Sequence, residues 1–246
     1  MLKDAAILLC TALGTDICKI KMIGEATEYQ VTKGVTLLTL DKNGKTEKLK
    51  LSKAADVLIN EKACADYLED DMNPSCGEVC LIDNNNDGEY DAIKVVSYEN
   101  YVISRIDTNS GIIYSKNRTD TLVLDEDDRN LMVCVDDGSV DSSISRFTAD
   151  MVISVAMSAD TGGKKFVRIL TSDETAEGEI SELDNGFENI NLGGEIYPVE
   201  DSYRQQLEDE NGGVLSAGRY AVFRFNVFGK IVYADINASS GKNTHF

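Results

Sequence analysis

Apolar and polar residues alternate along most of the chain after about residue 25, and clusters of Asn, Asp and Gly interrupt the alternation. A period of two is typical of β-strands that bury one face, and the polar clusters are typical of the turns between them. β-branched and aromatic residues are frequent in the alternating stretches. The pattern therefore predicts a mainly β protein built from short strands and tight turns.

The first residues follow a longer period. Apolar side chains are spaced by four, three and four residues at Leu2, Ala6, Leu9 and Leu13. This spacing places them on one face of a helix, and Gly14 stands where a helix commonly ends. We expect a short N-terminal helix within a lead-in of residues 1–23. A single helix ahead of a β protein also suggests that the chain is a piece of a longer protein.

Three features recur in the same order about every 70 residues. The first is an aliphatic–Asp pair followed by a polar turn, at 40–44, 106–111 and 183–186. The second is a short apolar strand, at 57–59, 122–124 and 196–199. The third is a longer hairpin, at 77–96, 150–169 and 218–234. Asn-Gly and related pairs favour such hairpins because both turn residues accept positive φ.

The recurrence predicts three tandem modules, at 24–98, 99–172 and 173–246. Each would hold five strands, and five short strands that bury one face suit a small barrel or sandwich. Pro198 marks its strand as an edge strand, because proline cannot donate to a β-ladder. Pro74 is the other proline, so no proline-rich linker separates the modules. The barrel topology stays open at this point.

The formal net charge of −19 limits the classes of partner. A strongly acidic surface repels phosphate backbones and anionic lipid, and the chain has no basic stripe. We therefore expect no nucleic-acid binding. No segment approaches the ~20 apolar residues of a membrane-spanning helix, so we also expect no membrane insertion. A second explanation of the charge is that it keeps the protein soluble.

Candidate catalytic groups are scarce. The single histidine, His245, is next to the C-terminus, so Ser-His-Asp and Cys-His chemistry lack a base. Carboxylate pairs such as Asp127-Asp128 lie in acidic turns, where nothing desolvates them for acid–base work. The six cysteines show neither a disulfide-framework spacing nor a CxxC pair, and we interpret them as reduced and mostly buried. The sequence predicts no enzyme and no catalytic residues.

The strongest local motif is a calcium-type loop at 83–91. Its oxygen-bearing residues stand where calcium ligands do, with Gly88 at position six, and the candidate ligands are Asp83, Asn85, Asp87, Glu89 and Asp91. Lys94 replaces the bidentate Glu of position twelve, and predicted strands flank the loop. The corresponding turns at 159–163 and 226–229 lack the ligands. The loop is either a weak Ca²⁺ site confined to the first module or a polar turn that satisfies its own backbone.

Three segments resemble the β-rich, non-anchoring regions of clostridial cell-surface proteins that carry S-layer homology domains. Residues 2–14 look like the helix of an S-layer homology repeat. Residues 77–91 resemble a recurring V-x-L-I-D-N-D-x-D-G-x-Y-D segment, and 228–233 are similar to the closing hairpin of these modules. The resemblance implies an extracellular location on a bacterial surface, with other surface proteins or cell-wall components as partners. The resemblance implies neither a wall anchor in this chain nor catalytic residues.

We therefore expect a non-catalytic structural or interaction region of a surface protein, acting as a spacer or as a partner-binding region. Two alternatives remain. A calcium-dependent or carbohydrate-binding module would use the loop at 83–91 or some of the ten tyrosines, since the chain has no tryptophan. A surface protein of a tailed-phage virion is the other, because such virions use similar small β-modules.

Overall fold

The computed structural model describes residues 19–25, 29–34, 37–125, 127–135, 144–159, 163–210 and 215–236. Within these ranges the protein is mainly β, which confirms the prediction from the alternating pattern. The described residues form 18 strands in three sheets and one α-helix. The predicted N-terminal helix lies outside the described residues. No helix in the described part of the chain is long and apolar enough to cross a membrane.

The first sheet contains seven strands: β1 (Lys19–Glu25), β2 (Tyr29–Lys33), β3 (Leu37–Lys42), β4 (Lys45–Ile59), β5 (Lys62–Ala63), β6 (Gly77–Asp83) and β7 (Tyr90–Ser97). Their order is β1-β6-β7-β4-β3-β2, with β5 attached to β4. The β4–β7 pair is parallel, whereas β3 and β4 form an antiparallel hairpin. Its turn residues, Asn43 and Gly44, have φ of 52° and 71°, as the Asn-Gly pair predicts.

The first sheet must curl. Strands β1 and β2 stand at opposite ends of its order, yet β1 ends at Glu25 and β2 begins at Tyr29. Four peptide steps reach at most ~15 Å. A flat sheet of six strands would separate its edges by about 24 Å. The inner face holds a buried core that includes Val31, Leu38 and Ile93, and Met72 from the 3₁₀ turn Asp70–Met72 packs into it.

The second sheet contains six strands: β8 (Glu99–Asp107), β9 (Ile112–Ser115), β10 (Thr121–Val123), β11 (Leu131–Val135), β12 (Val152–Met157) and β13 (Lys165–Ser172). Their order is β10-β9-β8-β12-β13-β11. β8 pairs antiparallel with both β9 and β12, and β11 runs parallel to β13. Only one residue, Tyr98, separates this sheet from the first along the chain.

The third sheet contains five strands, with the α-helix inserted after the third of them: β14 (Thr175–Leu183), β15 (Asn189–Leu192), β16 (Glu195–Pro198), α1 (Asp201–Asp209), β17 (Tyr220–Phe225) and β18 (Ile231–Asp235). Their order is β16-β15-β14-β17-β18, so the strand of Pro198 is terminal, as predicted. The chain then returns to the opposite edge, because Val199 forms a parallel bridge with Ile231. The Glu200 N–H donates to the Ile231 carbonyl at 2.9 Å.

Helix α1 follows β16, where the sequence pattern of five strands per module predicted no helix. The Glu200 carboxylate caps it by accepting from the N–H groups of Ser202 (2.9 Å) and Tyr203 (3.3 Å). Tyr203 and Leu207, four residues apart, are its two buried side chains. The strand counts also differ from the predicted five per module, which only the third sheet has. The predicted strand at 57–59 is the end of the 15-residue β4.

The chain divides into two compact units: Met1–Tyr98 with Met157–Thr161, and Glu99–Ala156 with Gly162–Phe246. The second unit therefore contains the third sheet and most of the second. Val102 and Val152 of the second sheet pack with Val232 of the third. The carboxylate of Asp150 binds Lys116 and also Arg224 of β17, whose Nη2 lies 3.1 Å away. The division into three modules stays a prediction.

Candidate functional site

The predicted calcium loop connects the two strands of a hairpin in the first unit. β6 ends at Asp83, and β7 begins at Tyr90. Asn86 and Gly88 have φ of 60° and 90° and supply the sharp bends between them. Glycine takes such φ values without the steric cost that a side chain brings, so it suits the sixth position of the loop.

Asp83 anchors the loop from the end of β6. Its side chain belongs to a residue that is only 2% exposed. Oδ1 accepts from the Asp87 N–H at 3.2 Å, and Oδ2 accepts from the Gly88 N–H at 3.0 Å. A buried carboxylate requires such donors, because burying it without hydrogen bonds costs several kcal/mol. Asp83 therefore fixes the path of the loop.

The other loop oxygens are also used locally. Asn85 Oδ1 accepts from the Asp87 N–H at 3.0 Å, and Asp87 Oδ1 accepts from the Glu89 N–H at 2.8 Å. Asp87 Oδ2 accepts from Asn85 Nδ2 at 3.0 Å. Asp91, the second residue of β7, accepts from the Asn84 N–H at 3.0 Å. These contacts are those of a polar turn that satisfies its own backbone.

Glu89 contacts Lys50, a residue that the sequence did not indicate as part of the site. Its Oε1 lies 3.4 Å from Nζ of Lys50 on β4. The parallel register of β4 and β7 sets Leu51 opposite Tyr90 and so brings these side chains together. Both partners are well exposed, so the ion pair adds little stability. No local pattern signals a contact across 39 residues.

The five predicted ligands are neighbours, but four of them accept hydrogen bonds from N–H groups of the loop, and Glu89 contacts Lys50. Among the residues that the structure describes, no three His, Cys, Asp or Glu side chains come together in a way that could hold a metal ion. An ionised carboxylate offers about four lone-pair sites, so an oxygen that already accepts from an N–H retains capacity for a cation. Ca²⁺ binding at Asp83, Asn85, Asp87, Glu89 and Asp91 stays a prediction.

The second unit contains a separate polar cluster around Tyr101. The Arg118 guanidinium lies over the Tyr101 ring, 4.7 Å from its centroid, and binds Asp120. The Tyr101 hydroxyl donates to Glu99 at 3.0 Å. Burial, followed by the adjacent carboxylates, raises the Tyr101 pKa far above its ordinary value, and Arg118 partly opposes this. The phenol therefore stays protonated near neutral pH and donates hydrogen bonds.

A shallow pocket of about 80 Å³ lies beside this cluster and is lined by Asn117, Arg118, Ser202, Tyr203 and Gln206. Ligand pockets commonly measure ~300–1000 Å³, so this one suits only a very small group. The four described cysteines form no disulfide with one another: Cys76 and Cys80 are buried, and Cys64 and Cys134 are half-buried. His245, Cys10 and Cys18 lie outside the described residues.

Comparison with known proteins adds little. No protein-family model matches the chain. No curated protein matches it either. One solved structure, a multidomain protein with nucleic acid binding domains from Streptococcus pneumoniae, aligns at 7% identity over 90% of this chain and 74% of that one. Its TM-score of 0.17 is too low to carry an argument about fold or function.

Proposed function

We propose that this chain is a non-catalytic spacer or partner-binding region of a bacterial cell-surface protein, built from consecutive small β-modules. The observation that carries the modular part of the proposal is the shared connectivity of the sheets, and the surface location rests on the resemblance of residues 77–91 and 228–233. In the second and third sheets the first strand pairs with its hairpin partner on one side and, antiparallel, with the first strand of the closing hairpin (β12 or β17) on the other. In both, a segment that follows the third strand runs parallel to the last strand.

The first sheet supports the same scheme. If β1 and β2 are the two halves of one bent first strand, then β3, β4, β6 and β7 are the second to fifth strands. β1 pairs antiparallel with β6, and β4 runs parallel to β7. These pairings correspond to the connectivity of the OB-fold, a five-stranded Greek-key barrel. The module identity is a fold-level analogy and does not itself decide the function.

The connections between the sheets support a spacer. One residue separates β7 from β8, and two residues separate β13 from β14. Neither connection has the length or the composition of a flexible Gly/Ser linker. A spacer built from consecutive modules needs short connections of this kind.

The surface location is tested on intact cells of the source bacterium. Antibodies against this chain should label intact cells, and permeabilisation should add little signal. An antibody against a cytosolic protein serves as the control for cell integrity. Labelling that requires permeabilisation would contradict the proposed location and leave the fold untouched.

A calcium-dependent or carbohydrate-binding module is the second candidate, and the contact between Lys50 and Glu89 favours it. This contact sets the loop at 83–91 beside β4, the third strand of the module. In OB-folds the face of the second and third strands, with the loop between strands four and five, binds oligosaccharides. In this candidate the loop and the adjacent strand face would bind the carbohydrate together.

Calorimetric titration with Ca²⁺ tests this candidate, using Asp83→Asn and Asp184→Asn as a matched pair. Asp184 accepts from the N–H groups of Glu188 (2.7 Å) and Asn189 (2.9 Å), so it supports its own turn as Asp83 does, but its turn lacks the calcium-loop spacing. The candidate predicts binding heat that Asp83→Asn abolishes and Asp184→Asn preserves. The absence of heat in the unmodified chain, with no shift in Tm on chelation, would remove it.

A further inference from the structure

The edge of β2 is covered by side chains in place of a neighbouring strand. β2 stands at one end of the strand order of the first sheet and hydrogen-bonds only to β3 among the described strands. An exposed edge of this kind presents unpaired N–H and C=O groups to any strand that approaches it. The segment Tyr67–Asn73, here called the strap, lies against this edge.

Asn73 reproduces the contacts of a β-ladder. The Val31 N–H donates to Asn73 Oδ1 at 2.7 Å, and Asn73 Nδ2 donates to the Val31 carbonyl at 2.9 Å. Two residues further along β2, the Lys33 N–H donates to Glu69 Oε2 at 2.9 Å. In an antiparallel ladder alternate residues bond to opposite sides, so Val31 and Lys33 are those that face away from β3. The strap thus takes the groups that an added strand would need.

Further contacts hold the strap in place. Lys33 Nζ donates to the Tyr67 carbonyl and lies 3.6 Å from the centroid of the Tyr67 ring. Met72 is fully buried in the core of the first unit. The Leu68 N–H donates to Asp71 Oδ2 at 2.6 Å, which shapes the strap without touching β2. Asn73 Nδ2 also donates to the Glu69 carbonyl at 3.1 Å within the strap, but the anchoring by Met72 and by the Lys33–Tyr67 contacts does not use the Glu69 and Asn73 side chains.

We propose that Glu69 and Asn73 guard the edge of β2 against pairing with β2 of a second copy of this chain. Antiparallel pairing centred on Val31 uses, on both chains, the N–H and C=O that Asn73 now occupies. It sets Tyr29 of each copy opposite Lys33 of the other, and its two-fold symmetry closes at a dimer. The net charge of −19 on every copy opposes association whether or not the edge is covered, so the test is run at a salt concentration that screens it.

The test compares Glu69→Ala/Asn73→Ala with the unmodified chain by light scattering across a wide range of protein concentration at moderate salt. The double variant is expected to double its mass reversibly as concentration rises, while the unmodified chain keeps one mass. Asp71→Ala is the matched control, because it perturbs the strap and leaves the edge covered, and its mass should not change. Adding Lys33→Pro to the double variant removes one edge N–H and should restore the single mass.

Hydrogen exchange at the Val31 and Lys33 amides reports whether the edge of β2 is uncovered or paired. In the double variant at low concentration these amides should exchange faster, and at high concentration protection should return. If circular dichroism shows that the double variant is unfolded, Asn73→Asp replaces it, since the carboxylate repels the Val31 carbonyl and retains the rest of the strap. Faster exchange with an unchanged mass, or growth beyond a dimer, would overturn the proposal.

Discussion

Asp150 offers the sharpest test of how the second unit is held together. Its backbone is in the left-handed region, with φ of 73°. Its carboxylate binds both Lys116 and Arg224, and the Asp150 carbonyl accepts from Arg224 Nη1 at 3.0 Å. Because Arg224 belongs to β17 of the third sheet, Asp150 joins the two sheets of this unit.

The expected magnitude follows from exposure. The side chain of Arg224 is 15% exposed and that of Asp150 is 44% exposed, so the pair lies between a buried and a surface ion pair. Charge-assisted hydrogen bonds contribute ~1.5–3 kcal/mol when protected, and surface pairs contribute ~0–1 kcal/mol. Asp150→Asn, which keeps the tolerance for positive φ, should cost about 1 kcal/mol. Asp150→Ala should cost about 2 kcal/mol because it adds backbone strain.

The assay is urea unfolding read by hydrogen exchange of peptides from β8, β12 and β17, which reports the second unit separately from the first. A double-mutant cycle with Arg224→Met should give a coupling of about 1 kcal/mol at low salt and less at high salt. If Asp150→Asn stays within about 0.3 kcal/mol of the unmodified chain and the cycle shows no coupling, the ion cluster does not hold these sheets together.

Three further predictions concern burial, backbone space and pH. Gly111→Ala should lower the free energy of unfolding in urea by several kcal/mol more than Gly229→Ala does. Both glycines have φ near 70°, but a Cβ on Gly111 would lie 2.4 Å from the Leu124 carbonyl oxygen, whereas a Cβ on Gly229 would meet no atom within 4 Å. Tyr29→Phe should leave the free energy of unfolding unchanged or raise it by about 1 kcal/mol, because the Tyr29 hydroxyl is buried without a hydrogen-bond partner. Tyr203→Phe should lower it by about 1 kcal/mol, because the hydrogen bond to the Ala234 backbone is lost. Burial raises the Tyr29 pKa from 10.0 to about 12, so its protonated form contributes stability that is lost between these pH values, and the unmodified chain should weaken there relative to Tyr29→Phe.

The turns were the part of the fold that the sequence predicted best. Asn43-Gly44 specified a hairpin because few residues accept positive φ in succession, and Pro198 specified an edge because it lacks an N–H. Both signals are local and depend on backbone chemistry that the residue type determines. Turn residues of the same kind also located the recurring hairpins along the chain.

The misses have equally definite causes. Helix α1 buries only Tyr203 and Leu207, so its apolar period was too weak to distinguish it from a loop. β4 loses its alternation where its register against β7 shifts between Leu51 and Asp56, which hid a strand of 15 residues. The ion pair between Lys50 and Glu89 depends on a parallel register between distant strands, which no local pattern encodes.

The place and composition of the candidate loop were predicted, and two alternatives were left open for its contacts. The spacing of Asp83, Asn85 and Asp87 predicted a sharp bend whose side-chain oxygens converge. In the structure those oxygens accept hydrogen bonds from backbone N–H groups of the loop. Calcium loops and self-satisfied polar turns use the same residues, because both need oxygen acceptors at a sharp bend. Sequence spacing therefore cannot separate them, and titration can.

Surface display measures the proposed spacer role most directly. The whole chain is placed between a wall anchor and an epitope on bacteria with a thick surface polysaccharide, beside a direct fusion and a Gly/Ser linker of equal length. The account predicts that the chain raises antibody labelling above the direct fusion and that mild protease treatment leaves this labelling intact while abolishing that of the linker. Labelling no higher than the direct fusion, or labelling as protease-sensitive as the linker, would contradict it.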